Sequence, residues 1–162
     1  MQRRQSPCTM PENVLTYRPS SSNGVCMLRT FKRDLGSLEP LFEFTGDFAT
    51  AHRLDDAIVF AMNLTVEELF TNMVKYGGGD DQVSVGLDVR GDDLVIELVH
   101  AGALEFDPTA AEPVDPLRSL GEREPGGVGL HLVRNMMDDV AYRHENGDAR
   151  ITVVKHLRTR GA

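Results

Sequence analysis

Hydrophobic positions along the chain fall into blocks whose periods change from helical to alternating and back. Residues 25–31 suit a short edge strand. Leu38, Leu41, Phe42, Phe44 and Phe48 follow at helical spacing, with Pro40 and Gly46 arguing against a regular helix over 38–51. The strongest helical signal starts near Asp55, where Ile58, Ala61, Met62, Leu64, Leu69, Met73 and Tyr76 recur mainly three and four residues apart. Asp55 or Asp56 suits the N-cap, and Gly77, Gly78 and Gly79 stop the helix after about six turns. Val83, Val85, Leu87 and Val89 then alternate with Ser84, Gly86, Asp88 and Arg90. Beyond the turn Gly91-Asp92-Asp93 an apolar strand covers 94–99, broken only by Glu97, so the two strands predict an antiparallel hairpin.

No period is visible from 102 to 127, a stretch punctuated by Pro, Gly and acidic residues. A loop that long within a compact domain is usually functional or disordered. Leu130, Leu132, Val133, Met136 and Met137 predict a second helix over 128–138. Strands over 140–144 and 151–157 flank Glu145-Asn146-Gly147-Asp148, where Asn-Gly is a hairpin signal. Residues 1–24 are rich in Ser, Pro, Arg, Gln and Asn without any period and read as a flexible N-terminal extension to a domain over 25–162. The element order predicts an α+β fold: a two-layer α/β sandwich with helices on one face of a mostly antiparallel mixed sheet.

Composition narrows the function. The 162 residues suit one domain with a full core, 41% of them hydrophobic and 26% charged. A net charge of -8 argues against a nucleic-acid surface, which needs clustered Lys and Arg to neutralise phosphates. Cys8 and Cys26 have no partner at metal-ligand spacing and imply no disulfide framework. No run of about 18 consecutive apolar residues suggests a membrane span, and the first residues lack an apolar signal core, so a cytoplasmic protein is the expectation.

Three segments have the residue types for phosphate chemistry. On the long helix, Glu68 and Asn72 stand four apart and Asn72 and Lys75 three apart, which lines a carboxylate, a carboxamide and an ammonium along one stripe. The carboxamide oxygen is a hard donor suited to Mg²⁺, the carboxylate can act as a base, and the ammonium can meet a phosphate. The same three residues also suit a plain solvated helix face. Gly126, Gly127 and Gly129 open the second helix, where small residues let backbone N–H groups approach an anion at a positive helix end. A hinge would carry the same glycines. Gly102, directly after an apolar strand, permits close backbone approach, or simply a turn.

Taken in order, these segments resemble the nucleotide-binding boxes of the histidine-kinase-like (GHKL) ATPase superfamily, and within it the bacterial anti-sigma regulatory serine/threonine kinases. Glu68-Leu-Phe-Thr-Asn72-Met-Val-Lys75-Tyr76-Gly77 resembles the N box, and Gly126-Gly127-Val128-Gly129-Leu130 resembles the G2 box. Phe106-Asp107-Pro108 resembles the loop after the G1 box, and 137–157 the closing hairpin. The resemblance implies a Bergerat-type fold binding Mg-ATP, with Glu68 as base, Asn72 on Mg²⁺, and Lys75 with the backbone of 126–130 on the phosphates. It places Gly102 near the base. It also implies a sigma factor and a STAS-type antagonist with a phosphorylatable Ser as partners, and a homodimer. The departure is at the G1 box, where the pattern Asp-x-Gly becomes His100-Ala101-Gly102. A neutral imidazole can accept a hydrogen bond from the adenine amino group, though more weakly than a carboxylate. The opposite reading is a pocket that has lost its nucleotide, leaving a partner-binding regulator. Glu105 and Asp107 are alternative carboxylates past the turn.

Overall fold

In the computed structural model the described residues are 26–79, 81–103 and 127–157. The expected extension over 1–24 and most of the 102–127 loop lie outside them. The elements run β1 (Met27–Lys32), a 3-10 turn (Leu35–Ser37), α1 (Leu38–His52), α2 (Asp56–Tyr76), β2 (Gln82–Arg90), β3 (Asp93–His100), α3 (Gly127–Met136), β4 (Asp139–Glu145) and β5 (Asp148–His156). The five strands form one sheet in the order β1-β2-β3-β5-β4. Every pairing among the described strands is antiparallel, so the sheet is α+β as expected but without a parallel member. The hairpin β4–β5 docks by β5 against β3, which puts β3 at the centre.

Alternation decides which face is covered. Val83, Val85 and Leu87 of β2, Leu94, Ile96 and Leu98 of β3, and Ile151 and Val153 of β5 belong to one core cluster with the helices. From the helices come Leu41, Phe44 and Phe48 of α1, Met62, Val66, Leu69 and Phe70 of α2, and Leu130 and Val133 of α3. Phe31 of β1 stands edge-on to Phe44 and Phe70, with ring centroids 5.6 and 6.4 Å away, and so ties both long helices to the sheet edge. Burying such a ring contributes roughly 1.5–3 kcal/mol. On the opposite face β3 carries Glu97, which is buried and paired with Arg150 of β5.

Local rules explain the helices. α1 runs through Pro40 because a proline in the first turn removes an N–H that has no intrahelical partner. It runs through Gly46, where nothing among the described residues lies within 4 Å of an added Cβ. At the start of α2 the Asp55 carboxylate accepts the Ile58 N–H at 2.9 Å, the N-cap the sequence predicts. α2 is long and apolar enough on composition to cross a bilayer, yet it is the central core helix, with Ala61, Met62, Val66, Leu69 and Phe70 buried against the other elements. Gly77 keeps helical angles, φ -69 and ψ -30, and the left-handed turn begins only at Gly78. The Asn146-Gly147 turn has positive φ at both residues, 55 and 84, as the sequence signal requires.

Candidate functional site

The site gathers at the C-terminal half of α2. Glu68, Asn72 and Lys75 lie along it on one stripe, as the spacing predicts, but their burial differs. Asn72 is buried at 7% exposure, Glu68 is half-buried and Lys75 is exposed. Thr65 continues the stripe toward the N-terminus; it is fully buried and its hydroxyl has no hydrogen-bond partner among the described residues. Burial pushes the Glu68 carboxyl above the usual carboxylate range; repulsion from Glu67 adds to this and the Lys75 ammonium opposes it. A carboxylate made more basic in this way is a better proton acceptor, as a general base should be.

Two side chains hold the end of α2 in place. The Arg33 guanidinium, just past β1, donates to the carbonyls of Met73 and Val74 at 3.3 and 3.1 Å, satisfying last-turn acceptors. His100, the last residue of β3, is fully buried and packs beneath Gly77. A methyl group on Gly77 would stand 2.7 Å from Cε1 and 2.8 Å from Nδ1 of that ring. The imidazole therefore fills the space that a side chain at the helix end would need.

The turn after β3 is fixed from both sides. Gly102, at φ 63, donates its N–H to the Asp148 carboxylate at 3.3 Å. A ring nitrogen of His144 donates to the carbonyl of Ala103 at 3.0 Å. From the other side Gly79 approaches so closely, at φ 70, that a Cβ on it would overlap the Gly102 carbonyl. Three backbone segments thus meet here: the end of α2, the turn after β3, and the β4–β5 hairpin.

α3 closes the fourth side. A Cβ on Gly129 would fall inside the Glu68 carboxyl group, so that carboxyl rests directly on the first turn of α3. Leu130 beside it is buried in the core. Gly127 and Val128 form the helix start, and Gly126 lies outside the described residues. The structure thus brings Glu68 and Gly129 together, sets Asn72 on the same stripe, and places His100 and Gly102 at the helix end. Sequence reasoning did not reach Arg33, Asp148, His144 or Thr65. The first three act across long separations in the chain, and a threonine within a helix carries no signal of its own.

The donor types on the α2 stripe are those that Mg²⁺ takes, which prefers oxygen ligands. A buried carboxamide, Asn72, lies one turn from the Glu68 carboxylate of raised basicity. Among the described residues no group of three or more His, Cys, Asp or Glu can hold a metal ion by itself. A cation held here would need oxygen donors beyond such side chains, which Mg²⁺ commonly takes from phosphate and water.

The profile of the histidine kinase-like ATPase domain matches residues 31–155, and the chain belongs to that family. It is 28% identical to the serine/threonine-protein kinase BtrW of Bordetella bronchiseptica over 100 residues, 60% of this chain and 70% of that protein. It is 26% identical to the serine-protein kinase RsbW of Bacillus subtilis over 102 residues, 59% of this chain and 63% of that protein. The chain thus spans somewhat under two thirds of RsbW. The fold matches the RsbU and RsbW domains of Rv1364c from Mycobacterium tuberculosis with a TM-score of 0.60, at 12% identity, over 82% of this chain and 32% of that one.

Proposed function

We propose that this protein is an ATP-dependent serine/threonine kinase that regulates a sigma factor by phosphorylating a serine on a STAS-type antagonist. The observation that carries the reading is the half-buried Glu68 carboxyl, more basic than usual, one helical turn from the buried Asn72 and in contact with Gly129. Asn72 would hold Mg²⁺, and Lys75 with the backbone of 126–130 would hold phosphates at the positive end of α3. The metal's contribution is to neutralise charge on the transferring phosphoryl group. Glu68 takes the proton from the serine hydroxyl, and Gly102 borders the base. Kinase-named relatives support the activity, and the family resemblance supports the partners, a homodimer and a cytoplasmic setting.

A second reading is favoured by His100. Its ring is 0% exposed beneath Gly77, so it presents no open edge to a base in the way a G1-box aspartate is expected to. On that reading the domain is a partner-binding regulator whose complexes form without nucleotide.

The test is γ-labelled ATP with Mg²⁺ and a panel of STAS-domain proteins. The kinase reading predicts label on a serine, abolished by Glu68→Gln while nucleotide affinity stays within about threefold. Transfer that survives Glu68→Gln removes Glu68 from its role. Partner complexes equally tight with and without Mg-ATP, and no labelling, establish the second reading.

A further inference from the structure

Gly129 belongs to the glycine-rich helix start, where its expected service is backbone approach to phosphate. Its environment shows a different demand. A Cβ on Gly129 would coincide with the Glu68 carboxyl group, within 2.6 Å even of the more distant oxygen, and well inside the separation that real Cβ atoms keep. Helical geometry does not require glycine here, since φ at Gly129 is not positive, and in a helix alanine is better than glycine by up to about 1 kcal/mol. Glycine is therefore favoured by what lies against it. α2 and α3 are in contact, and Leu69, Leu130 and Val133 are buried in the one core cluster, so neither backbone can withdraw without opening the core. The carboxyl end of Glu68 is the movable part. An added methyl would turn it aside and leave the fold standing.

We infer that Gly129 is the positioning residue for Glu68: the bare Cα of α3 is the surface against which the base carboxyl is seated. The inference rests on the kinase reading for its catalytic meaning, but the seat itself is a property of the protein without nucleotide. α3 then couples the two halves of the site, since any shift of its first turn moves both the phosphate-facing backbone and the place where the base rests.

Two measurements separate these levels. In the nucleotide-free protein, thermal unfolding of Gly129→Ala, Glu68→Ala and the double variant forms a cycle. The Tm change caused by Gly129→Ala should be more favourable by about 2 °C or more when Glu68 is absent. Additive changes would show that the carboxyl does not resist the methyl, so that glycine is not what seats it, and would overturn the inference. In transfer assays with Mg-ATP, Gly129→Ala should keep nucleotide affinity within about threefold and lose about thirtyfold or more in kcat. In a Glu68→Asp background, where the acid is one methylene shorter, the loss caused by Gly129→Ala should shrink to about threefold or less. Affinity that falls about tenfold with kcat unchanged would make Gly129 a phosphate contact only and overturn the positioning role. A wild-type protein that transfers no phosphate defeats the kinase reading instead, and the thermal cycle then decides the seat by itself.

Discussion

Gly79 and Gly91 both have left-handed backbones, φ 70 and 59, and differ in what surrounds them. A methyl group on Gly91 meets nothing within 4 Å among the described residues. On Gly79 it would overlap the carbonyl of Gly102 and stand 3.0 Å from the Ala103 nitrogen, all backbone atoms that no rotamer change can move. Left-handed angles cost a residue with a Cβ about 1–2 kcal/mol. Overpacking adds about 1–3 kcal/mol. Gly91→Ala should therefore lose about 1–2 kcal/mol and Gly79→Ala about 2–5 kcal/mol. For a chain of 162 residues each kcal/mol lowers Tm by about 2–4 °C. Urea unfolding of both variants against wild type measures the difference, and nucleotide titration tests its consequence. Displacing the Gly102 turn should weaken binding in Gly79→Ala, while Gly91→Ala, in the β2–β3 turn, should bind as wild type. Equal losses of stability in the two variants would refute the claim that the end of α2 and the turn after β3 are locked by backbone contact.

Further outcomes follow from the core and from titrating groups. Phe70→Ala removes a fully buried ring packed edge-on to Phe31 and should cost about 3–5 kcal/mol by urea unfolding; a loss under about 1 kcal/mol would contradict the packing. Burial raises the Glu68 carboxyl, so folding favours its protonated form, and that favour is lost as pH rises from the model-peptide value of 4.5 through the folded one. Glu68→Gln should therefore stabilise the fold at pH 7.5 by up to about 0.5 kcal/mol and give no such gain near pH 4, a small effect because water reaches the group. His156 is raised above 6.5 by its hydrogen bond to Asp93, so its stabilisation is complete below that pH and disappears as pH climbs through the folded value. His156→Asn should flatten the fall in Tm between about pH 6 and 8, and an unchanged slope would assign the fall to other groups.

Much of the fold was legible because the decisive signals are local. Asp55 caps α2 as an aspartate before an apolar period should, and Asn146-Gly147 makes the turn its residues favour. α1 was obscured by Pro40 and Gly46, whose usual meaning as breakers fails in a first turn and where nothing among the described residues lies within 4 Å of an added Cβ. Strand order was not legible, since nothing in β5 announces that it inserts between β3 and β4. In the site, the Glu68–Asn72–Lys75 stripe could be read from helical spacing alone. The contacts that shape it could not: Glu68 on Gly129, Gly79 on Gly102, His100 under Gly77, and Arg33 across the end of α2. Each joins segments distant in sequence, and each depends on a packing distance that residue type does not encode. The His100 substitution was visible in the sequence, while its complete burial was not.

On the proposed function, the α2 stripe and the first turn of α3 form a magnesium-dependent adenine-nucleotide site. Calorimetric titration with ATP, ADP and GTP, each with and without Mg²⁺, tests it most directly, with Asn72→Ala alongside. Such a site gives saturable binding of ATP and ADP that strengthens with Mg²⁺ and loses that metal dependence in Asn72→Ala. Absence of heat with any of the three at millimolar concentration would contradict it and leave a domain that keeps the fold of its family for partner binding alone.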